Sequence, residues 1–212
     1  MPLNLDLVTI IIIAVNCVIS FKAFQDPGFM EKYLFRIGDI RRGEQFRFIT
    51  SGFLHVDGRH LGFNMLALYF FAGVVVFNLG AVKFLIIYVA SLIAGNLLSY
   101  LFHKDEFHYS AVGASGAVSG IIYSAILVEP NMKIYFGIPG YIFGLGYLLY
   151  SIYGMKQKRD NIGHDAHFGG AVTGYAITLL YDPTIIVNEP LIVGALLIPI
   201  VVLVVMYYSG KL

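Results

Sequence analysis

Seven stretches of this chain are apolar for long enough, or nearly long enough, to cross a membrane, each bounded by polar punctuation. A spanning helix needs about 20 mostly apolar residues. The stretches run about Leu5–Phe24, His60–Asn78, Ala81–Phe102, Ser115–Val128, Ile134–Tyr153, His167–Tyr181 and Leu191–Tyr208. The pattern predicts an all-α, polytopic membrane helix bundle. The fourth and sixth stretches are short, roughly 15 residues or ~22 Å of helix, against a hydrocarbon core of about 30 Å. A short helix with a polar start, beginning below the membrane surface, must be buried in protein or line a wet cavity. Both short stretches open on a residue capable of chemistry, Ser115 and His167.

Between the first two stretches lies a long polar and aromatic loop, about residues 25–59. With the end of the first helix it interleaves Phe21, Phe24, Phe29, Tyr33, Phe35, Phe46, Phe48 and Phe53 with Lys32, Arg36, Arg41, Arg42 and Arg47. That mixture suits the membrane interface and predicts a folded, partly embedded loop. Composition agrees: 58% of the 212 residues are hydrophobic, 13% are charged and mean hydropathy is +0.77, whereas soluble domains carry about 25% charged residues. A net charge of +1 gives no reason to expect nucleic acid. Cys17, the only cysteine, excludes an internal disulfide and a cysteine metal cluster. The first apolar run has no basic start and no small-residue cleavage site, so it is expected to be retained as a helix. Neither an internal repeat nor a low-complexity segment is visible.

Strongly polar residues inside membrane helices are candidates for function, because burying them in lipid is expensive. His60 and Asn64 are four apart and share one helix face. Ser115 sits among small residues in Gly113-Ala114-Ser115-Gly116, and Ser119 and Gly120 follow. Gly170 and Gly174 lie three and seven positions after His167, forming a small-residue strip along which another helix can pack closely. The other small-residue helix is the obvious partner, and packing the two would bring Ser115 toward His167. A serine hydroxyl becomes a competent nucleophile once a neighbouring base takes its proton. His167 is the candidate base, and His60, Asn64 and the Ser115 amide are candidate oxyanion donors. Asp165 is two residues before His167 and faces away from it on a helix, so a Ser–His pair without a third member is expected.

Plainer readings accompany each residue. The glycine-rich run around Ser115 is a packing surface in most membrane helices, and His60 with Asn64 reads equally well as an interhelical hydrogen-bond pair. Ser119 reads as a packing residue and His164 as a solvated loop residue. A metal site built from His55, His60, His164, Asp165 and His167 is a rival, weakened because no His-Glu-x-x-His helix is present. A small transporter would show inverted repeats or paired broken helices, and none is found. The elbow of soluble hydrolases is absent, because Ala117 takes the last glycine position of Gly-x-Ser-x-Gly.

Taken together, these residues resemble the rhomboid intramembrane serine proteases. The matching elements are Gly113-Ala114-Ser115-Gly116, Ala166-His167 followed by Gly170 and Gly174, and His55 with His60 and Asn64, with Phe46-Arg47 upstream. They fall in the family's order, on the second, fourth and sixth helices, and the resemblance covers essentially the whole chain. It implies a single domain over 1–212: a six-helix rhomboid-like core to about residue 183 and one extra C-terminal helix over about 190–209. It implies a Ser115–His167 dyad, oxyanion contacts from His60 and Asn64, and structural support from Gly113, Gly116, Gly170, Gly174, Arg47 and His55. It implies no metal and no cofactor, with transmembrane helices as substrates and the bilayer as medium. A catalytically inactive, client-binding relative is the alternative within the family. One departure stands out. Family members often carry an aromatic residue four positions after the nucleophile, packed on the catalytic histidine, and here that position is Ser119. Some other residue must then hold the His167 ring. The resemblance also implies a cell membrane, an amino terminus inside, an active site toward the outer face and substrate access beside the fifth helix. The basic residues of the first loop, by the positive-inside rule, argue for the opposite orientation.

Overall fold

A computed structural model describes residues 6–134, 137–157 and 163–211. The expected start of the fifth helix near Ile134 and the outer limits of the 1–212 domain reach into residues outside that set.

The first long helix, α1 (Leu7–Gln25), is capped by Asp6, whose carboxylate accepts the Val8 amide. Asp26 then ends α1 and caps α2 (Pro27–Tyr33) by accepting the Phe29 amide. The first loop continues as β1 (Phe35–Arg36), α3 (Ile37–Arg41), α4 (Arg47–Thr50) and a 3-10 turn at Ser51–Phe53. Asp57 caps α5 (Gly58–Leu79) through the His60 amide at 2.7 Å. Gly80, with φ +89°, turns the chain directly into α6 (Ala81–His103), a backbone geometry suited to glycine. After β2 (Ser110–Ala111) comes α7 (Ser115–Val128). A small hairpin of β3 (Lys133–Ile134) and β4 (Ile138–Pro139) leads into α8 (Gly140–Gln157). The chain closes with α9 (His164–Tyr181), α10 (Thr184–Asn188) and α11 (Pro190–Tyr208).

Helix α7 is the hub. Every residue from Gly116 to Leu127 is buried, so it is surrounded by protein rather than lipid. It packs against α5, α6, α8 and α9. The cause is its sequence: Gly116, Ser119 and Gly120 let neighbours approach to backbone distance. A Cβ placed on Gly170 would overlap the Gly116 carbonyl, and one on Gly174 would overlap the Gly120 carbonyl. Ser124 and Thr178 close the same seam lower down, with hydroxyls 2.7 Å apart.

Among the described residues four helices, α1, α5, α6 and α11, are long and apolar enough to cross a membrane. Their outer faces carry exposed Leu7, Phe63, Phe77, Val82, Leu191 and Val205, as a lipid-facing surface requires. The expected all-α polytopic bundle is therefore observed. Two boundaries differ from expectation. The apolar run at Ile134 is hairpin, because Gly137 adopts φ +80° and Pro139 precedes the helix, so α8 starts at Gly140. The expected sixth stretch forms α9, which starts at His164 and has 18 residues, so of the two stretches expected to be short α7, with 14, is the short one. The extra turn forms because His164 and Asp165 find buried partners rather than solvent.

Candidate active site

The loop before Ser115 is gripped by the first loop at successive residues. Phe35 pairs with Ala111 and Arg36 with Ser110 in an antiparallel two-strand ladder. The Gly113 amide donates to the Ser51 carbonyl at 3.0 Å. Next, the Ala114 amide reaches His55 Nε2 at 3.4 Å, a long bond. Because Nε2 accepts there, the neutral His55 ring carries its proton on Nδ1 and donates to Ser20 Oγ, 2.9 Å away on α1. Ser20 in turn donates to the Phe53 carbonyl at 3.0 Å. Burial, and then the proximity of His60, push the His55 pKa down to about 3.

Arg47 anchors the first loop from within. It is 5% exposed. Its guanidinium donates to the carbonyls of Glu31 (2.9 Å) and Leu34 (2.7 Å) and pairs with Asp39 (3.2 Å) and Glu44 (2.7 Å). Five fixed donors suit a planar guanidinium and no other side chain.

Gly113 takes φ +138°, which an L side chain adopts only under strain. A Cβ there would lie 2.7 Å from His60 Cε1, 3.0 Å from His60 Nε2 and 3.7 Å from Ser115 Oγ. His60 and the Ser115 hydroxyl thus border the same spot, and both residues are half-buried. Among the described residues the buried His60 Nδ1 has no hydrogen-bond partner. Nothing there holds a proton on it, which favours the tautomer with Nε2–H facing Gly113. One turn on, Asn64 is buried and gives one amide hydrogen to the His60 carbonyl at 3.1 Å, which uses one of its two.

On α9 the Ala166 carbonyl seats against two glycines of neighbouring helices. A Cβ on Gly95 of α6 would come within 2.6 Å of it, and one on Gly116 of α7 within 3.2 Å. The residue before His167 therefore touches the residue after Ser115. His167, half-buried, is flanked by the Tyr147 ring (centroids 5.9 Å apart, 19° between planes) and by His164 (6.1 Å, 74°). His164 is buried, with its ring in the notch left by Gly154 and edge-on to Tyr150 at 5.2 Å. The expectation of a solvated His164 is corrected. Asp165 is buried and points to α6, 3.5 Å from His103 Nε2, whose ring stacks on Tyr109 at 3.7 Å. Asp165 thus serves the α6–α9 contact, and burial pushes the Tyr109 phenol up. Among the described residues no three His, Cys, Asp or Glu side chains gather as a metal-ligand set.

Sequence reasoning missed Ser20, His103 and Tyr147. Only Tyr147 left a signal: Ser119 stood where an aromatic was expected, and α8 supplies Phe143, Tyr147 and Tyr150.

Fold and site together define a class. This is an integral membrane helical protein with a serine at the head of its buried central helix and a histidine on the glycine-packed neighbour. The family profile for the rhomboid domain matches residues 42–183, and the chain belongs to the rhomboid family. RHOMBOID-like protein 12, mitochondrial, of Arabidopsis thaliana is 26% identical over 172 residues, covering 72% of this chain and 51% of that protein. Rhomboid protease GluP of Bacillus subtilis (strain 168) is 31% identical over 137 residues, covering 64% and 26%. Putative rhomboid protease YdcA of the same organism is 32% identical over 143 residues, covering 66% and 69%. The chain spans about half the length of the plant relative and about a quarter of GluP.

Proposed function

We propose that this rhomboid protein is a serine endopeptidase that cleaves transmembrane segments within the bilayer, using Ser115 as nucleophile and His167 as base. The observation that carries the reading is the glycine-to-backbone seam between α7 and α9, which sets Gly116 against Ala166. In the reaction Ser115 Oγ attacks the scissile carbonyl as His167 takes its proton. His60 Nε2–H, the second Asn64 amide hydrogen and the Ser115 amide stabilise the oxyanion. His167 then protonates the leaving amine, and water repeats the sequence on the acyl-enzyme. Gly113, Gly116, Gly170, Gly174, Arg47 and His55 support the site. We assign this activity to one domain over 1–212, with a core to about 183. Relatives named as proteases support the reading.

Substrate access is assigned to the flank between α5 and α8, both of which pack on α7. For orientation we adopt a cell membrane with the catalytic end outward. Lys22, Lys32, Arg36, Arg41, Arg42, Arg59, Lys104 and Lys156 lie on the catalytic side, and Lys83 and Lys133 on the other. That bias favours the reverse orientation, and impermeant thiol labelling at each end of α5 decides between them.

The test is cleavage of a fluorescent transmembrane substrate in liposomes by the intact protein, Ser115→Ala and His167→Ala, with and without chelator. Loss of at least ~10³-fold in both variants, with no chelator effect, is expected. Cleavage by Ser115→Ala would sink the nucleophile assignment. Client binding without cleavage by the intact protein would favour an inactive relative.

A further inference from the structure

The ring that lies along His167 does not come from α7. Tyr147 of α8 supplies it, stacked at 5.9 Å and 19°, with Phe143 stacked beyond it at 6.0 Å and 11°. The Tyr147 hydroxyl is 2.7 Å from Ser119 Oγ, and Ser119 Oγ is 2.7 Å from the Ser115 carbonyl. A carbonyl can only accept, so the single Ser119 proton goes to Ser115 and Tyr147 donates to Ser119. One side chain of α8 therefore meets the base with its ring and the nucleophile's turn through one hydroxyl. Ser119 is 1% exposed, and a larger residue there would occupy the space Tyr147 uses.

We propose that Tyr147 is the positioning residue for His167, and that it makes the alignment of the base depend on where α8 sits. The inference rests on the Ser115–His167 reading. Asp165, the nearest acid in sequence, is directed to His103, while the Tyr147 ring lies along the imidazole. A tyrosine face within about 6 Å of an imidazole also favours the imidazolium that forms as Ser115 loses its proton. Displacement of α8 removes ring and hydroxyl together, so an open α8 misaligns the base and a closed one restores it.

The test is a variant series in detergent and liposomes, followed by cleavage kinetics, thermal melting and NMR of the histidine ring carbons in 13C-histidine-labelled protein. Tyr147→Leu is expected to lower kcat about 30- to 100-fold, the cost of a base misplaced by about 1 Å, with KM changed less than about threefold. Tyr147→Phe keeps the ring and loses about three- to fivefold. Ser119→Ala loses the same, and the double variant loses no more than either, because both remove one hydrogen bond. Moving the ring to α7 in Tyr147→Ala/Ser119→Phe recovers at least about tenfold over Tyr147→Ala. A purely structural role would track melting temperature and show no such recovery. The His167 ring resonance moves in Tyr147→Leu, whether or not substrate is cut. An unmoved resonance, or Tyr147→Leu with kcat within about twofold of the intact protein, overturns the inference and leaves the dyad standing. Cleavage by Ser115→Ala overturns the dyad and this role with it.

Discussion

The two halves of the candidate dyad are held by different materials. Ser115 follows a stretch whose own backbone is hydrogen-bonded to the first loop: the β1–β2 ladder, the Gly113 bond to the Ser51 carbonyl and the Ala114 bond to the His55 ring. His167 sits on a helix placed by close packing, with Ala166 against Gly95 and Gly116, and its ring is placed by a side chain from α8. Backbone hydrogen bonds give a position with little freedom, whereas a stacked ring moves with the helix that bears it. Damage to the first loop should therefore degrade the nucleophile side. Damage to α8 should degrade the base side.

The largest break of this comparison comes from the seam both halves share. Gly170→Leu would drive a side chain into the Gly116 carbonyl, and no rotamer relieves a clash at Cβ. The helices must part, so loss of cleavage and a lower yield of folded protein are expected, with destabilisation above about 3 kcal/mol. Size-exclusion profile and melting temperature check it. A folded, active Gly170→Leu would mean that the seam is not what brings the two halves together.

Next in size is Arg47→Met, which isolates the nucleophile side. It leaves the Glu31 and Leu34 carbonyls unpaired and Asp39 and Glu44 without their shared cation. The expected cost is about 2–3 kcal/mol, discounted because Glu44 is half-exposed. Limited proteolysis should open the first loop before any helix. If the helices loosen first, the loop is not an independent clamp. A cross-link between α5 and α8 sharpens the other side. With cysteines on their facing flanks in a Cys17→Ser background, cleavage of a membrane substrate should fall at least about tenfold and recover on reduction. Unaffected cleavage would put access elsewhere.

The fold was legible where one rule decided each element. Apolar runs marked α1, α5, α6, α7 and α11 to within a few residues, because lipid demands long apolar helices. Gly116, Gly120, Gly170 and Gly174 announced the α7–α9 seam, because only small residues allow such an approach. The start of α9 was misread because His164 and Asp165 are polar, and composition cannot tell a buried polar residue from a solvated one. Ile134 looked helical because a hairpin of apolar residues has the same hydropathy as a helix. Tyr147 was out of reach for a different reason. Its contact joins α8 to α7 and α9 through space, and the missing aromatic at Ser119 does not say which helix supplies the replacement ring.

The finest probe of the comparison is pH acting through His55. The ring is fully buried and its pKa is pushed from 6.5 to about 3. Above pH 6.5 folded and unfolded chains both hold it neutral. Below that, the unfolded chain takes the proton and the folded one does not, so stability falls as pH drops toward 3. The loss approaches about 1.4 kcal/mol per pH unit, or about 2 kcal/mol between pH 6.5 and 5. His55→Gln preserves an acceptor for the Ala114 amide and a donor for Ser20 and removes the titration. At pH 7 it should cost no more than about 1 kcal/mol, and its melting temperature should fall less between pH 7 and 5 than that of the intact protein. Ser115 labelling by a fluorophosphonate, measured alongside, carries the comparison further. In the intact protein at pH 5 the melting temperature should fall, whereas His55 in the folded protein stays neutral and keeps its bond to the Ala114 amide until pH nears 3, so labelling declines through this clamp only there. If the Gln variant keeps the full acid sensitivity, the titrating group lies outside the nucleophile clamp and His55 is packing alone.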